Sequence, residues 1–310
     1  MQIVPTTQSL GTYLVVDPIV AAKVEPDLRD VVWPDGSPRP THNYAAEDFR
    51  WETYKTRRYT YPITIGQITA DNAQSIGWDI LAAAARHAAM RAMTARTVAV
   101  KNALDSVMLP TGHQINVQST YGATWANSAA SGSGSGVIRK SIIDGVRIIL
   151  QSTLGVVSEK DLVLVIGPQV AAAMRNSDEI IDLIKQSPYA GPMLQHQEIF
   201  DEFGGLPSTL YGVRVVVDRT MQVSSRIKAR PKSVNAVWGT TNAYLLARPG
   251  QLLGQDDSVN YSSVVFFMRE EMNVESIYDN YNRLHHAAVT EEWDARVVAP
   301  ATVVRFTNIV

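Results

Sequence analysis

The chain has 310 residues, 45% hydrophobic and 19% charged, enough apolar material for a sizeable buried core and too little charge for a disordered chain. Its 28 Lys plus Arg against 30 Asp plus Glu lack the basic excess by which tight nucleic-acid binders neutralise phosphates. The absence of cysteine rules out disulfides, thiolate nucleophiles and Cys-based zinc sites, and suits a reducing cytoplasm.

Met1 to Leu10 is polar and does not read as a signal peptide, and no apolar run reaches the ~18 residues of a membrane span. Prolines at positions 5, 18, 26, 34, 38 and 40 set the N-terminal stretch apart, because neither a helix nor a central strand tolerates such scatter. It reads either as a loose tail or as an extended arm lying on a neighbour. Leu14, Val15, Val16, Ile19, Val20, Val31, Val32 and Trp33 are too apolar for a solvated tail and favour the arm.

From Phe49 to Thr56 bulky and polar side chains alternate, Arg57 and Arg58 interrupt, and Tyr59 to Ile65 resume the alternation. The pattern predicts a charged two-stranded ribbon with little core of its own. Such a ribbon is marginal alone and leans on a partner.

Helical spacing takes over at Asp71 or Asn72, either of which can cap, and Ile76, Ile80, His87, Met90 and Met93 recur to about Met108. Unbroken, this helix would be a strut of roughly 55 Å. The run Val98-Ala99-Val100 argues against one straight rod, and Leu109-Pro110-Thr111-Gly112 ends it.

Ser131 to Gly136 reads as a flexible connection, followed by a second helix with Val137, Ile138, Ile142, Val146, Ile149 and Leu150 on one face. Between 156 and 249, strands and helices interleave: strands at Leu162–Ile166, Val213–Asp218, Ala236–Trp238 and Tyr244–Leu246, helices at Gln169–Arg175 and Asp178–Lys185. That is a compact α+β unit. Beyond it, Tyr261–Met268 and Asp294–Ile309 read as strands.

The chemistry-bearing candidates each have a blander explanation. The alternating glycines Gly132, Gly134 and Gly136 lack the spacing of a phosphate loop, and no G-x-S-x-G elbow occurs. His285 and His286, near Glu291 and Glu292, would point to opposite faces of a strand and could not share one ion. His87 suits a packed or solvent-facing helix position, Asp256-Asp257 a solvated turn, and Asp178-Glu179 the start of a helix. No catalytic, cofactor or metal site is expected.

The order of parts, together with Trp51-Glu52-Thr53-Tyr54, Tyr59-Thr60-Tyr61-Pro62, Gly77-Trp78-Asp79-Ile80, Leu162 to Arg175 and Ser177-Asp178-Glu179-Ile180, resembles the major capsid protein of tailed bacteriophages. This is the Hong Kong type of capsid fold, shared with encapsulins and herpesvirus capsid floors. The resemblance implies an α+β fold with an N-terminal arm (1–37) and an extended loop (38–70). Residues 71–155 would hold the spine helix, to about 109, and the first part of a peripheral domain. Residues 156–249 would form an axial domain, and 250–310 the second part of the peripheral domain.

By the same resemblance the chain would assemble with itself, through pentamers and hexamers, into an icosahedral shell around double-stranded DNA held without sequence specificity. It would be made in the host cytoplasm, end in the virion, and work with a scaffold or decoration protein and a portal. An encapsulin-type compartment is the second reading and an enzyme of unknown type the third. The inter-subunit contact is expected on the ribbon: Lys55, Arg57 and Arg58 near its tip, with Trp51, Tyr54, Tyr59 and Tyr61 along its stem.

Overall fold

The computed structural model describes residues 2–16, 49–132, 134–186, 206–223, 233–248 and 261–310. Two sheets carry the fold. The first runs in the order β1 (Gln2–Pro5), β12 (Val264–Asp279), β13 (Leu284–Val297), β4 (Arg57–Gly66). β12 and β13 form a long antiparallel hairpin, β4 runs antiparallel along β13, and β1 lies parallel to the base of β12. A separate antiparallel pair, β2 (Leu10–Val16) and β3 (Phe49–Lys55), covers that base, with Tyr13 and Tyr54 packed on Val265 and Phe267.

The second sheet has six strands, in the order β5 (Gln114–Asn116), β14 (Val303–Thr307), β11 (Ala243–Ala247), β6 (Leu162–Ile166), β8 (Val213–Val217), β7 (Thr209–Leu210). β9 (Met221–Val223) and β10 (Val234–Ala236) pair only with each other among the described residues.

Strand alternation assigns the layers. Leu162, Leu164 and Ile166 of β6, with Leu245 and Phe306, share a core with α4 (Val137–Ser152), α5 (Pro168–Arg175) and α6 (Asp178–Gln186). The long helix α2 (Ile80–Ser106) takes the other face: Val100 and Leu104 pack with Tyr244, Val303 and the half-buried Val165 and Leu246. A strand covered on both sides must be apolar throughout, which is why Leu162–Ile166 is an unbroken run. Gly145 lets α4 sit close, since a Cβ there would lie 2.8 Å from Phe306 Cζ and 3.2 Å from Leu245 Cδ2.

The helix expected from Asp71 to Met108 is two helices. α1 (Gln67–Ser75) stops at Ile76, Gly77 turns with φ +79°, and Asp79 starts α2 by accepting the Ala82 N–H at 3.0 Å. Neither Asp71 nor Asn72 caps it. At 27 residues α2 spans about 40 Å, and it runs unbroken through Val98–Val100 because burial of Val100 overrides weak local propensity. A one-turn helix, α3 (Val117–Tyr121), follows β5.

Glu179 opens α6 as expected, but its carboxylate serves another helix. It lies buried, accepting the Ile138 and Arg139 N–H groups at 3.0 and 2.9 Å at the start of α4. The Ser128 hydroxyl reaches it at 2.5 Å and Tyr211 OH at 2.7 Å. Gly136 has no side chain with which to cap α4, so the carboxylate satisfies two orphan donors and faces the positive helix end. The expected linker before α4 is a closed turn, Ala129 N–H bonding Gly134 O and Gly136 N–H bonding Ala129 O, both at 3.1 Å.

Several expected boundaries shift. α4, placed with the peripheral part at 71–155, shares its core with the six-stranded sheet. β14, placed at 250–310, is an internal strand of that sheet, so the cuts at 155 and 249 divide one packed unit. The strand expected from Asp294 to Ile309 is two, β13 and β14, parted by a turn at Pro300–Thr302. In the arm, β1 and β2 pair within their own chain, while Ile19, Val20 and Val31 to Trp33 lie outside the described residues.

Candidate inter-subunit surface

The ribbon expected between Phe49 and Ile65 is not a hairpin. β3 pairs with β2 and β4 with β13, and Thr56 is where the chain passes from one sheet to the other. Its N–H donates to Ser9 O at 2.9 Å, and its hydroxyl to Glu292 Oε1 at 2.7 Å. Glu292 is buried and also accepts Arg269 Nη1 at 3.1 and 3.3 Å, while Arg58 binds Glu270 at 3.1 Å. The Thr56 hydrogen bond, opposed by burial and joined by Arg269 and Arg58, holds the Glu292 carboxyl below its ordinary range.

The seven residues expected at the contact divide in two. Tyr54 is buried and stacked on Phe267, ring centroids 4.2 Å apart; Tyr59 stacks on Trp293 at 4.5 Å. Tyr61 packs against Ala88, Ala92 and Val289, where burial, with Glu291 adding to it, pushes its hydroxyl up to about 12. Tyr54 thus belongs to the chain's own core, and the half-buried Tyr59 and Tyr61 pack against it. The expectation that they would stand in water within one subunit fails, because β4 is backed by α2 and β3 by β12.

The other four face outward. Trp51 is 67% exposed, and Lys55 projects from the same face of β3, its N–H donating to Asp294 Oδ2 at 3.0 Å. Leu10, 60% exposed and opposite Lys55 on β2, extends this face and had no signal in the sequence. Arg57 is exposed and enters no ion pair among the described residues, whereas Arg58 is held by Glu270. The outer face of β2 and β3 therefore offers a large ring, an aliphatic chain and a lysine with no ion pair among the described residues, while Arg57, paired with Trp293 of β13, stands on the α2 side of β4.

α2 fixes the sheet behind this patch. Arg96 reaches the fully buried Glu291 of β13, Nη2 to Oε2 at 2.5 Å and Nε to Oε2 at 2.7 Å. Nearer its end, Asp105 accepts Lys101 Nζ at 2.6 Å and the Tyr244 hydroxyl. Burial works to raise the Asp105 carboxyl, but those two hydrogen bonds together outweigh it and leave it below its usual range. The adjacent histidines part as a strand requires: His286 meets Thr64 Oγ1 at 3.1 Å on one face, while His285 packs on Tyr278 on the other.

Glu292 and Asp105 give the fold a defined acid response. Their folded values are depressed, so their stabilisation is full above the unfolded-state value near ~4 and is lost as pH falls through the folded values. The urea midpoint is therefore expected to fall between about pH 5 and pH 3. The double variant Glu292→Gln, Asp105→Asn should be less stable at neutral pH and flatter across that window. Equal slopes for the two proteins would assign the acid response to other groups.

No protein-family model and no curated protein sequence matches this chain. Solved structures do match it. A phage-related protein of Bordetella bronchiseptica RB50 superposes with TM-score 0.60 at 15% identity, over 99% of this chain and 89% of that one. The mature capsid of bacteriophage PhiM1 gives 0.53 at 11%, over 99% and 84%. The encapsulin SrpI of Synechococcus elongatus PCC 7942 gives 0.53 at 10%, over 99% and 85%. The fold is the α+β capsid fold, of the Hong Kong type, that the sequence resembles.

Proposed function

We propose that this chain is a structural, non-catalytic subunit of a closed capsid shell, joined to its neighbours in part through Trp51, Leu10, Lys55 and Arg57. The observation that carries the reading is the end-to-end likeness of the fold to capsid and encapsulin chains, over 99% of the residues. The outward face of β2 and β3 supports it, since it joins a 67% exposed tryptophan to a 60% exposed leucine, apolar surface that a neighbouring chain could cover. An interface between unlike surfaces of identical subunits closes into rings of five or six only if it tolerates small changes of angle.

In this reading the shell encloses double-stranded DNA and becomes the wall of a virion, with a portal and a scaffold or decoration protein as partners. Purified protein examined by sedimentation velocity and negative-stain microscopy is expected to form closed shells. A species that stays monomeric or dimeric across salt and pH would overturn the proposal. The encapsulin likeness, equal in TM-score to the PhiM1 match, supports the second reading, a protein compartment. Shells isolated from the producing cell decide between them: DNA inside marks the first, a protein cargo the second.

A further inference from the structure

The near-neutral total conceals a division between cations that are compensated and cations that are not. On the side of the four-stranded sheet turned away from α2, where β3 also lies, arginines are already matched: Arg50 with Glu52 of β3 at 2.5 Å, Arg58 with Glu270 at 3.1 Å, Arg269 with Glu292 at 3.1 Å. Arg296 meets Asp294 at 2.8 Å in the same region. On the α2 side the pattern differs. No Asp or Glu occurs between Asp79 and Asp105, and Arg86 and Arg91 stand exposed without an ion pair among the described residues. His87 lies one turn before Arg91, and Lys101 is neutralised by Asp105.

The same side continues onto the six-stranded sheet. Arg214 and Arg248, exposed and free of ion pairs among the described residues, border a cavity of about 640 Å³ that α2 closes with Val100. The one carboxylate lining that cavity among the described residues, Asp218, is turned to the Thr220 N–H at 2.8 Å and the Trp238 indole N–H at 2.7 Å. Four arginines thus project from one side with no carboxylate among the described residues to answer them.

We infer that this side, led by Arg86 and Arg91 on α2, faces the enclosed double-stranded DNA and touches its phosphates. The inference rests on the shell reading and names the wall's inner surface. Arginine matches phosphate geometry, and side chains along a helix flank contact the backbone without reading bases. Each subunit then contributes a few weak, salt-sensitive contacts. Repetition over a shell makes them count, although a single near-neutral subunit binds DNA poorly.

The test compares two variants that lower the net charge equally by two: Arg86→Gln with Arg91→Gln on α2, and Arg50→Glu on the opposite face. The probe is a double-stranded DNA fragment of about 200 base pairs, titrated with soluble subunit over a salt series from ~50 mM. The α2 double variant is expected to lose about ten-fold in affinity at the lowest salt and to reduce the salt slope by roughly 1.8. Arg50→Glu should change either by far less. Equal losses in the two variants, or wild-type binding by the α2 variant, would overturn the inference. Shell assembly, scored separately on the same proteins, distinguishes that outcome: shells that form normally while the α2 variant binds DNA unchanged leave the proposed function standing.

Discussion

Glu179→Ala is expected to destabilise the subunit by about 3–5 kcal/mol, more than loss of a surface ion pair could. The carboxylate is buried and receives four donors from three parts of the chain: Ser128, the first turn of α4, and Tyr211. Removing it strands all four and leaves α4 with a glycine N-cap, the Ser128 hydroxyl on Val137 N–H and no negative charge at its positive end. Tyr211 sits at φ 51°, a left-handed conformation that a non-glycine residue keeps only when held there, and Glu179 is one of its holders. Glu179→Gln keeps the shape but turns an amide toward donors, so a loss of about 1–2 kcal/mol is expected. Urea unfolding of the soluble subunit measures both. A change below about 1 kcal/mol for the alanine variant would mean that water or a neighbouring side chain replaces the cap.

For assembly the largest effect is expected from Arg57→Glu combined with Trp51→Ala. Both side chains are exposed, neither fills a core, and Arg57 has no partner within the described chain. The fold should hold within about 0.5 kcal/mol, as surface changes usually do. At a contact repeated by every subunit, however, a loss of about 1.4 kcal/mol lowers each association constant ten-fold, and the losses accumulate around a ring. Shell yield by sedimentation is therefore expected to collapse while circular dichroism and melting stay unchanged. Arg58→Glu is the poorer test, because it places a further carboxylate beside Glu270 and Glu292 and strains the fold itself. Normal shells from the folded double variant would remove both side chains from the interface.

What the sequence disclosed and what it hid follow from how far a pattern reaches. The alanine-rich helix, the buried run Leu162–Ile166 and the alternation at 49–56 and 59–65 were legible because each repeats within a few residues, although Arg57 and Arg58, read as an interruption, belong to β4. Alternation reports that a strand has two faces and says nothing about its partner. Phe49 to Ile65 therefore read as a hairpin, although its halves belong to different sheets. The same limit sent Tyr54, Tyr59 and Tyr61 to the surface, since Phe267, Trp293 and α2 cover them from elsewhere in the chain. The break at Gly77 was readable in hindsight from Gly-Trp-Asp ahead of the alanines, a stop followed by a cap. Nothing local marks Glu179 as a cap for a helix some 40 positions earlier.

The placement of β14 governs when the six-stranded sheet can close. β14 lies between β5 and β11, yet 192 positions separate Ile115 from Thr307, whose hydroxyl donates to the Ile115 carbonyl. Until it arrives, β5 has no neighbour in the sheet, β11 keeps an open edge, and the pocket awaiting Phe306 stands empty above α4. Contacts of such long separation make for slow folding, and an open edge in the interval invites pairing with the wrong chain. A nascent chain interrupted before Val303 therefore has an unfinished sheet rather than a shorter subunit. Synthesis itself becomes an inspection step, since only a chain made through β14 can complete the sheet.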